Sequence, residues 1–464
     1  MSAVVQAPNP PSPRLPLAIG DPDRVLVFGE GAPVTLGRFL ARAQALAARL
    51  PEGGHVVHVA EDRHRFLLAF CAAALRGQVA LLPPSGAPGT VGELLQAHAD
   101  AYCLGGEAAG PRHCPLPEPS ALADAGAAEM PGVEPSALAA IGFTSGSTGR
   151  PQPHAKTWAA FATGTAQNVA ALRDLWGAAQ PQVVATVPPQ HMYGMEMSVL
   201  LPLLGGAAIH AGRPLLPADV ARALHQTQAP RLLVTTPVHL RALLGSGVAL
   251  PPLAGIVSAT APLPQALAAE AEARYGCQVR EVFGSTETCV IACRRTAHEA
   301  AWTPMPGVRV AARPDGALVQ GPHLPAPVAL ADLVEVGDDG RFALCGRQAD
   351  MLEIAGKRAS LADLTARLLA VPGVEDGVVV QLDPAREGAV GRIAALAVAP
   401  GRTPAEIVQA LRASIDPVFL PRRLRLLPQL PRNATGKLRR DAVLALLDGA
   451  ACSSAVPEAP AADA

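Results

Sequence analysis

Apolar positions along residues 36–84 fall into two alternating rhythms. RFLARAQALAARL (38–50) and RHRFLLAFCAAALRG (63–77) repeat Leu, Ala and Phe at helical spacing, while HVVHVA (55–60) and QVALLPP (78–84) are short Val/Leu runs that read as strands. The rhythm resumes after residue 181. PQVVATVPP is a strand, MEMSVLLPLLGG a helix, AAIHAG a strand and PADVARALHQT a helix; RLLVTTP, LAGIVSATAPL and QVREVFGSTE are strand-to-loop units. This alternation predicts an α/β fold, a large N-terminal domain of layered, largely parallel sheets with helices. From 307 to 345 short strands dominate (VRVAARPDG, ALVQGP, LADLVEV, RFALCG), which predicts a small β-rich subdomain. Beyond Gly346, LADLTARLLAVPGVEDGVVVQL, GRIAALAVAP and PAEIVQALRASI read as a compact α+β module. The expected organisation is a flexible arm over 1–20, an N-terminal domain over 21–346, a small mobile C-terminal domain over 347–448 and a disordered Ala/Pro/Ser-rich tail over 449–464.

Composition narrows the function classes. With 464 residues, half of them hydrophobic, the chain can bury two or three cores. Its 38 basic and 39 acidic residues nearly cancel, which argues against a nucleic-acid partner at whole-chain level. The mean hydropathy is positive (+0.25), yet no uncharged apolar run is long enough to predict a membrane span. The Pro-rich N-terminus has no basic start followed by an apolar run, and the eight cysteines form no CxxC pair. Both features lead to the expectation of a reduced, cytoplasmic protein. Only three of the 38 basic residues are lysines: Lys156, Lys357 and Lys437. A general drift toward Arg explains the depletion, and lysine persists where a compact ammonium is needed or by chance.

Four segments carry candidate chemistry. Thr144, Ser145, Gly146, Ser147, Thr148 and Gly149 gather hydroxyls and glycines in one loop, a composition that suits polyphosphate oxygens. No Gly-Lys-Ser/Thr follows at Walker A spacing, and a plain surface loop is the alternative. FGSTE (283–287) closes a strand, where ligands bind in α/β folds, and sets a hydroxyl beside a carboxylate. Asp332 and Arg347 stand fifteen positions apart, and PRNATGKLRR (431–440) contains Lys437. Singly, each has an ordinary structural explanation.

Together and in this order they resemble the adenylate-forming superfamily of acyl-CoA synthetases, nonribosomal-peptide adenylation domains and luciferases, over about residues 20–445. TSGSTGRP (144–151) is similar to the family's phosphate loop, PPQHMYG (188–194) to its PxxHxxG segment and SATAPL (258–263) to its adenine-contacting stretch. FGSTE is similar to YGxTE, the Asp332 to Arg347 spacing matches the ribose-binding pair, and PRNATGKLRR is similar to the catalytic-lysine motif. The resemblance implies ATP and Mg²⁺ as cofactors. Residues 144–149 would wrap the β- and γ-phosphates, Ser258, Ala259 and Thr260 would line the adenine, and Asp332 and Arg347 would bind the ribose. Thr286 would touch the α-phosphate, Glu287 would hold Mg²⁺, and Lys437 would bridge carboxylate and α-phosphate. A carboxylate attacking a phosphate brings two anions together, and a placed ammonium with Mg²⁺ offsets the repulsion. The family's acid-binding regions fall on His191, Tyr193, Gly194, Met195, Val282 and Gly284. Partners would be a small carboxylic acid and the phosphopantetheine thiol of an acyl carrier protein, or CoA.

This sequence departs from the family at two points. Gln152 stands where the loop lysine is expected, with Lys156 four residues on as a candidate replacement, and Ala349 followed by Asp350 occupies the hinge. The QPHAKTW variant (152–158) is similar to stand-alone ligases of aryl polyene and xanthomonadin-type pigment clusters. That likeness implies a hydroxybenzoate-type acid passed to an acyl carrier protein. Arg402, Arg412, Arg422, Arg423, Arg425, Arg432, Arg439, Arg440 and Lys437 face only Glu406 and Asp416 across 402–440, a basic stretch that suits an acidic carrier or CoA phosphates. The alternatives are a fatty acyl-CoA synthetase and a non-catalytic nucleotide-binding or scaffold protein.

Overall fold

The computed structural model describes residues 13–29, 31–60, 62–83, 86–105, 112–123, 130–145, 151–347, 350–354, 357–382, 392–433, 436 and 438–449. The chain divides into two compact units, 1–309 with 320–328, and 310–319 with 329–464.

The first unit is built on two sheets. A six-stranded sheet runs in the order Pro151–Thr157, Leu138–Ser145, Val79–Leu82, His55–His58, Ala101–Leu104, His113–Cys114. A nine-stranded sheet runs Thr303–Pro304, Cys289–Arg294, Gln278–Ser285, Gly255–Ser258, Arg231–Thr235, Gln182–Ala185, Ala208–His210, Val25–Phe28, Val34–Thr35. Interior pairs are parallel except Gln278–Ser285 with Cys289–Arg294, and the end pairs are mainly antiparallel, so the expected α/β architecture is what the chain adopts. Strands buried on both faces need apolar side chains throughout, and Leu232, Leu233 and Val234 are fully buried. The side chains of Thr35, Asp62, Thr157 and Thr236 cap the helices that start after them, fixing where each strand-to-helix turn ends.

Two local expectations change. Within the stretch expected as a free arm, Leu15–Pro16 pairs with Gly132–Val133, and Leu17 and Ala18 are fully buried. Their apolar side chains anchor that segment. The helix expected over 195–206 is interrupted: Met192–Met195 and Leu201–Leu204 are α-helical, and Glu196–Leu200 between them is π-helical.

The second unit begins in short strands and then a hairpin, Asp332–Val336 with Phe342–Arg347, in which Asp332 lies opposite Arg347. A second hairpin, Met351–Ile354 with Lys357–Ser360, leads into helix Leu361–Leu369. The sheet Asp376–Gln381, Ile393–Val398, Arg423–Leu426 follows. Alternation along 393–398 sends Ile393, Ala395 and Ala397 toward Leu364 and Leu368, and Ala394, Leu396 and Val398 toward Val443 and Leu447 of helix Arg440–Leu447. Among the described residues no helix is long and apolar enough to cross a membrane.

Candidate active site

The site grows from the edge hairpin of the six-stranded sheet. Leu138–Ser145 and Pro151–Thr157 pair antiparallel, with Thr144 opposite Gln152, Gly142 opposite His154 and Ala140 opposite Lys156. Side chains alternate between faces along a strand, so these six share one face. That face meets the turn following strand Gln278–Ser285. A Cβ on Gly142 would lie 2.7 Å from Thr286 Cγ2 and 3.0 Å from Met192 Cε, so only glycine admits this approach. His154 Nε2 is 3.1 Å from Thr144 Oγ1 and 3.7 Å from Glu287 Oε1. Lys156, 6% exposed, donates from Nζ to the Glu287 carbonyl oxygen.

The turn itself is closed by hydroxyls. Ser285 N–H donates to Thr288 Oγ1 at 3.2 Å, Thr288 N–H donates to Ser285 Oγ at 3.2 Å, and Thr288 Oγ1 donates to Cys289 O at 2.9 Å. A Cβ on Gly284 would fall 2.1 Å from that same Cys289 oxygen. Burial pushes the Glu287 carboxyl up, but the Ser285 hydroxyl, its own backbone N–H, His154 and Lys156 outweigh this and hold it below the usual carboxylate range. Burial, with Lys156 nearby, lowers His154, so its imidazole is neutral at pH 7 although Glu287 opposes the shift.

The loop after strand Gly255–Ser258 brings two hydroxyls inward. Ser258 and Thr260 each have a buried Oγ without a hydrogen-bond partner. Thr260 has φ +81°, a left-handed conformation that a β-branched residue adopts only under strain, roughly 1–3 kcal/mol. A buried carboxylate fixes this loop. Glu281, 3% exposed, accepts from Leu263 N–H at 2.9 Å, Arg294 Nε at 2.8 Å and Thr296 Oγ1 at 2.7 Å, and the Arg294 guanidinium lies 4.3 Å from the Trp302 ring centroid. Sequence reasoning passed over Glu281. The available signal was its phase, two residues from buried Val279 on the same strand face.

On the acid-facing segment, Met192, Tyr193 and Met195 are buried, and a Cβ on Gly194 would fall 1.9 Å from Pro188 O. Tyr193 OH donates to Val257 O at 2.8 Å, so its hydroxyl is committed to the backbone beside Ser258. Val282 and Val290 are buried apolar neighbours of the turn, and Ala259 is buried in the loop. Glu196, at the start of the π-helical segment, accepts from Val290 N–H at 3.0 Å and Asn168 Nδ2 at 3.1 Å. Burial pushes its carboxyl up to about 7.

The first unit thus gathers Thr144, Thr286 and Glu287, with Met192 beside them. Gly146, Ser147, Thr148, Gly149 and Lys437 lie outside the described residues, as does Ala349. Asp332 and Arg347 belong to the second unit, where they face each other across a hairpin. On either side of position 437, Arg432 and Leu438 form a β-bridge. Arg432 donates to both Asp376 oxygens at 2.8 and 2.7 Å and to Gly436 O at 2.7 Å. Other arginines of the basic stretch are also engaged within this unit: Arg402 with Pro372 O, Arg423 with Asp448, Arg425 with Leu446 O, Arg439 with Asp441 and Arg440 with Gln381 O.

A family model described as AMP-binding enzyme matches residues 18–316, and one described as AMP-binding enzyme C-terminal domain matches 365–437. The chain belongs to the AMP-binding enzyme family. These are adenylate-forming acid–thiol ligases, whose shared chemistry is the ATP-dependent activation of a carboxylic acid as its acyl adenylate. Among relatives, a 4-coumarate–CoA ligase of Rhodobacter capsulatus is 37% identical over 232 residues, covering 50% of this chain and 58% of that protein. A 4-coumarate–CoA ligase of Halorhodospira halophila is 32% identical over 326 residues, covering 64% of this chain and 74% of that protein. In fold, the chain is similar to o-succinylbenzoate CoA synthetase of Bacillus subtilis, solved with ATP and a magnesium ion: TM-score 0.76, 18% identity, 90% of this chain and 96% of that one.

Proposed function

We propose that this AMP-binding enzyme activates a hydroxybenzoate-type aryl acid with ATP, releases pyrophosphate, and passes the acyl group to a phosphopantetheine thiol, on an acyl carrier protein or on CoA. The observation that carries the reading is the meeting of the Thr144 strand end with the Thr286–Glu287 turn, across a contact only Gly142 allows. It sets hydroxyl donors and one ionised carboxylate together at a strand end, as ATP phosphates and their cation require. Thr144 to Gly149 take the β- and γ-phosphates, Thr286 the α-phosphate, Asp332 and Arg347 the ribose, and Lys437 the reacting carboxylate and α-phosphate.

Glu287 fits Mg²⁺. The ion binds through one or two carboxylates plus substrate phosphates, and Glu287 presents one carboxylate at the turn that meets the Thr144 strand. When bound, the ion supplies neutralisation of phosphate charge. The chain's own residues hold the carboxylate ionised and aimed, through Ser285, His154 and Lys156.

A hydroxylated aryl acid is supported by three features. Met192, Met195, Val282 and Val290 are buried apolar side chains on the segments expected to bind the acid. The Oγ atoms of Ser258 and Thr260 are buried without partners, at a cost of about 1–3 kcal/mol each if nothing bonds them. The two relatives described above are named for 4-coumarate, itself a hydroxyaryl acid. Tyr193, committed to Val257 O, is not the donor for the ring hydroxyl.

The test is acid-dependent pyrophosphate release. Hydroxybenzoates are expected to exceed benzoate and to exceed octanoate further in kcat/KM, because a site built to bond a hydroxyl rejects its absence. If octanoate leads, the enzyme is a fatty acyl ligase; if Lys437→Ala keeps full release, the catalytic lysine is misassigned. Mass spectrometry of holo carrier protein and CoA after reaction decides the acceptor.

A further inference from the structure

We propose that Lys156 is a positioning residue for Glu287, holding the carboxylate's main chain while His154 flanks its side chain, rather than a stand-in for the missing loop lysine. The inference rests on Glu287 being the residue that holds the cation.

Strand geometry separates the two roles. Gln152 is exposed and pairs with Thr144, beside the phosphate loop. Lys156 lies four residues farther along the same face, about 13 Å away at the rise of an extended strand. That separation exceeds the length of a lysine side chain, and the Lys156 ammonium turns instead into the Glu287 carbonyl. Its burial supports the same role. A buried ammonium is costly unless it is hydrogen-bonded and faces negative charge. Lys156 has the carbonyl as its acceptor, on the residue whose carboxylate stands beside the same strand at His154.

Glu287 is consequently approached from one strand at two points and bonded at one of them. His154 approaches the carboxylate at 3.7 Å, and Lys156 bonds the carbonyl of the same residue. The methyl of the preceding Thr286 seats on Gly142 of the partner strand. The hairpin that carries the phosphate loop therefore also fixes the direction of the carboxylate. An ammonium in contact with phosphate would strengthen nucleotide binding with or without metal. An ammonium that fixes the carboxylate would act through the metal.

The experiment uses the full chain without acid substrate. Mn²⁺ binding in the presence of ATP is followed by electron paramagnetic resonance, and ATP binding in EDTA by calorimetry, for wild type, Lys156→Met, Lys156→Gln and Glu287→Gln. Lys156→Met is expected to weaken Mn²⁺ binding about tenfold, within the range for lost partners of a metal ligand, with the ATP Kd in EDTA changed less than about twofold. Lys156→Gln, which keeps an N–H donor without the charge, is expected to lose less. Should Lys156→Met fail to fold by circular dichroism, Lys156→Gln decides: weaker Mn²⁺ binding at unchanged metal-free ATP binding supports the proposal, and no change overturns it. Equal loss of metal-free ATP binding overturns it in favour of a phosphate ligand. Silence of the Lys156 variants beside an impaired Glu287→Gln overturns the positioning role alone. Silence of Glu287→Gln overturns the metal assignment, and the proposal with it.

Discussion

Replacing Gly142 by alanine should damage catalysis through a single methyl group. The new Cβ would stand 2.7 Å from Thr286 Cγ2 and 3.0 Å from Met192 Cε. Carbon contacts relax at roughly 3.5–4.0 Å, so the gap to Thr286 must open by about 1 Å. The methionine end can swing aside, whereas Thr286 clears the methyl only by turning about χ1, which displaces the hydroxyl proposed for the α-phosphate, or by moving a backbone flanked by the Ser285 and Thr288 bonds. Overpacking of this size destabilises by about 1–3 kcal/mol. A displacement of about 1 Å at a reacting group can cost on the order of 100-fold in rate, equivalent to about 2.7 kcal/mol. The assay is kcat/KM for acid-dependent pyrophosphate release, with circular dichroism to confirm folding. Gly164→Ala in helix Trp158–Leu172 is the control, since nothing lies within 4 Å of its added Cβ, and it should leave the rate unchanged. A folded Gly142→Ala enzyme working within about threefold of wild type would refute the link between hairpin and turn, because a 1 Å shift at the phosphates cannot be that mild.

Glu281→Gln is expected to cost about 3 kcal/mol in urea unfolding, because Arg294 loses its buried counter-charge, and to raise the KM for ATP because Leu263 N–H is held by the same carboxylate. A stability loss with unchanged ATP KM would show that the 259–263 loop does not depend on this anchor. Glu196, with its carboxyl pushed up to about 7, is protonated in the folded chain at pH values where the unfolded chain is ionised. Its contribution is fully present below the unfolded value near 4.3 and is lost as pH rises through about 7, a change of about 4 kcal/mol. Glu196→Gln should remove that slope and be the more stable protein at pH 8; parallel urea midpoints for both proteins from pH 5 to 8 would contradict it.

Local motifs were legible because their chemistry is local. The Gly-Ser-Thr run at 283–287 announces a strand end, and the parallel strands announce themselves by short apolar runs. The strand Pro151–Thr157 was not legible. Two prolines and a run of polar residues carry no β pattern, and it forms because proline without an N–H is tolerated on a sheet edge, where this strand lies. Without that strand, Lys156 could only be placed by its distance along the chain from Gln152, which pointed to phosphate rather than to the Glu287 carbonyl. The basic stretch of 402–440 was legible as composition but not as pairing. Charge counting finds the arginines but not Asp376 and Asp448, which lie far away in sequence or beyond the counted window and tie down Arg432 and Arg423. Glu281 and Glu196 escaped because each is an isolated carboxylate in an apolar segment, and only tertiary contact supplies the donors that make it tolerable.

The missing loop lysine changes how phosphate charge must be managed. Gln152 is neutral and exposed, so on the proposed assignment the phosphate loop would offer hydroxyl and backbone donors without a cation at that position. On the proposed assignment, the charge gathered at the reaction would be met by the ion on Glu287 and by Lys437. An ion on a single protein carboxylate is only as well placed as that carboxylate. A half-buried Glu287 left alone would drift toward its neutral form or swing into solvent, since burial by itself raises its pKa. The hairpin opposes both outcomes, with an ammonium that favours the charged form and a hydrogen bond that fixes the backbone bearing it. With a neutral residue at 152 and a buried ammonium four residues on, the proposed assignment puts the electrostatic work of this hairpin in control of the Glu287 carboxylate rather than in direct contact with the nucleotide.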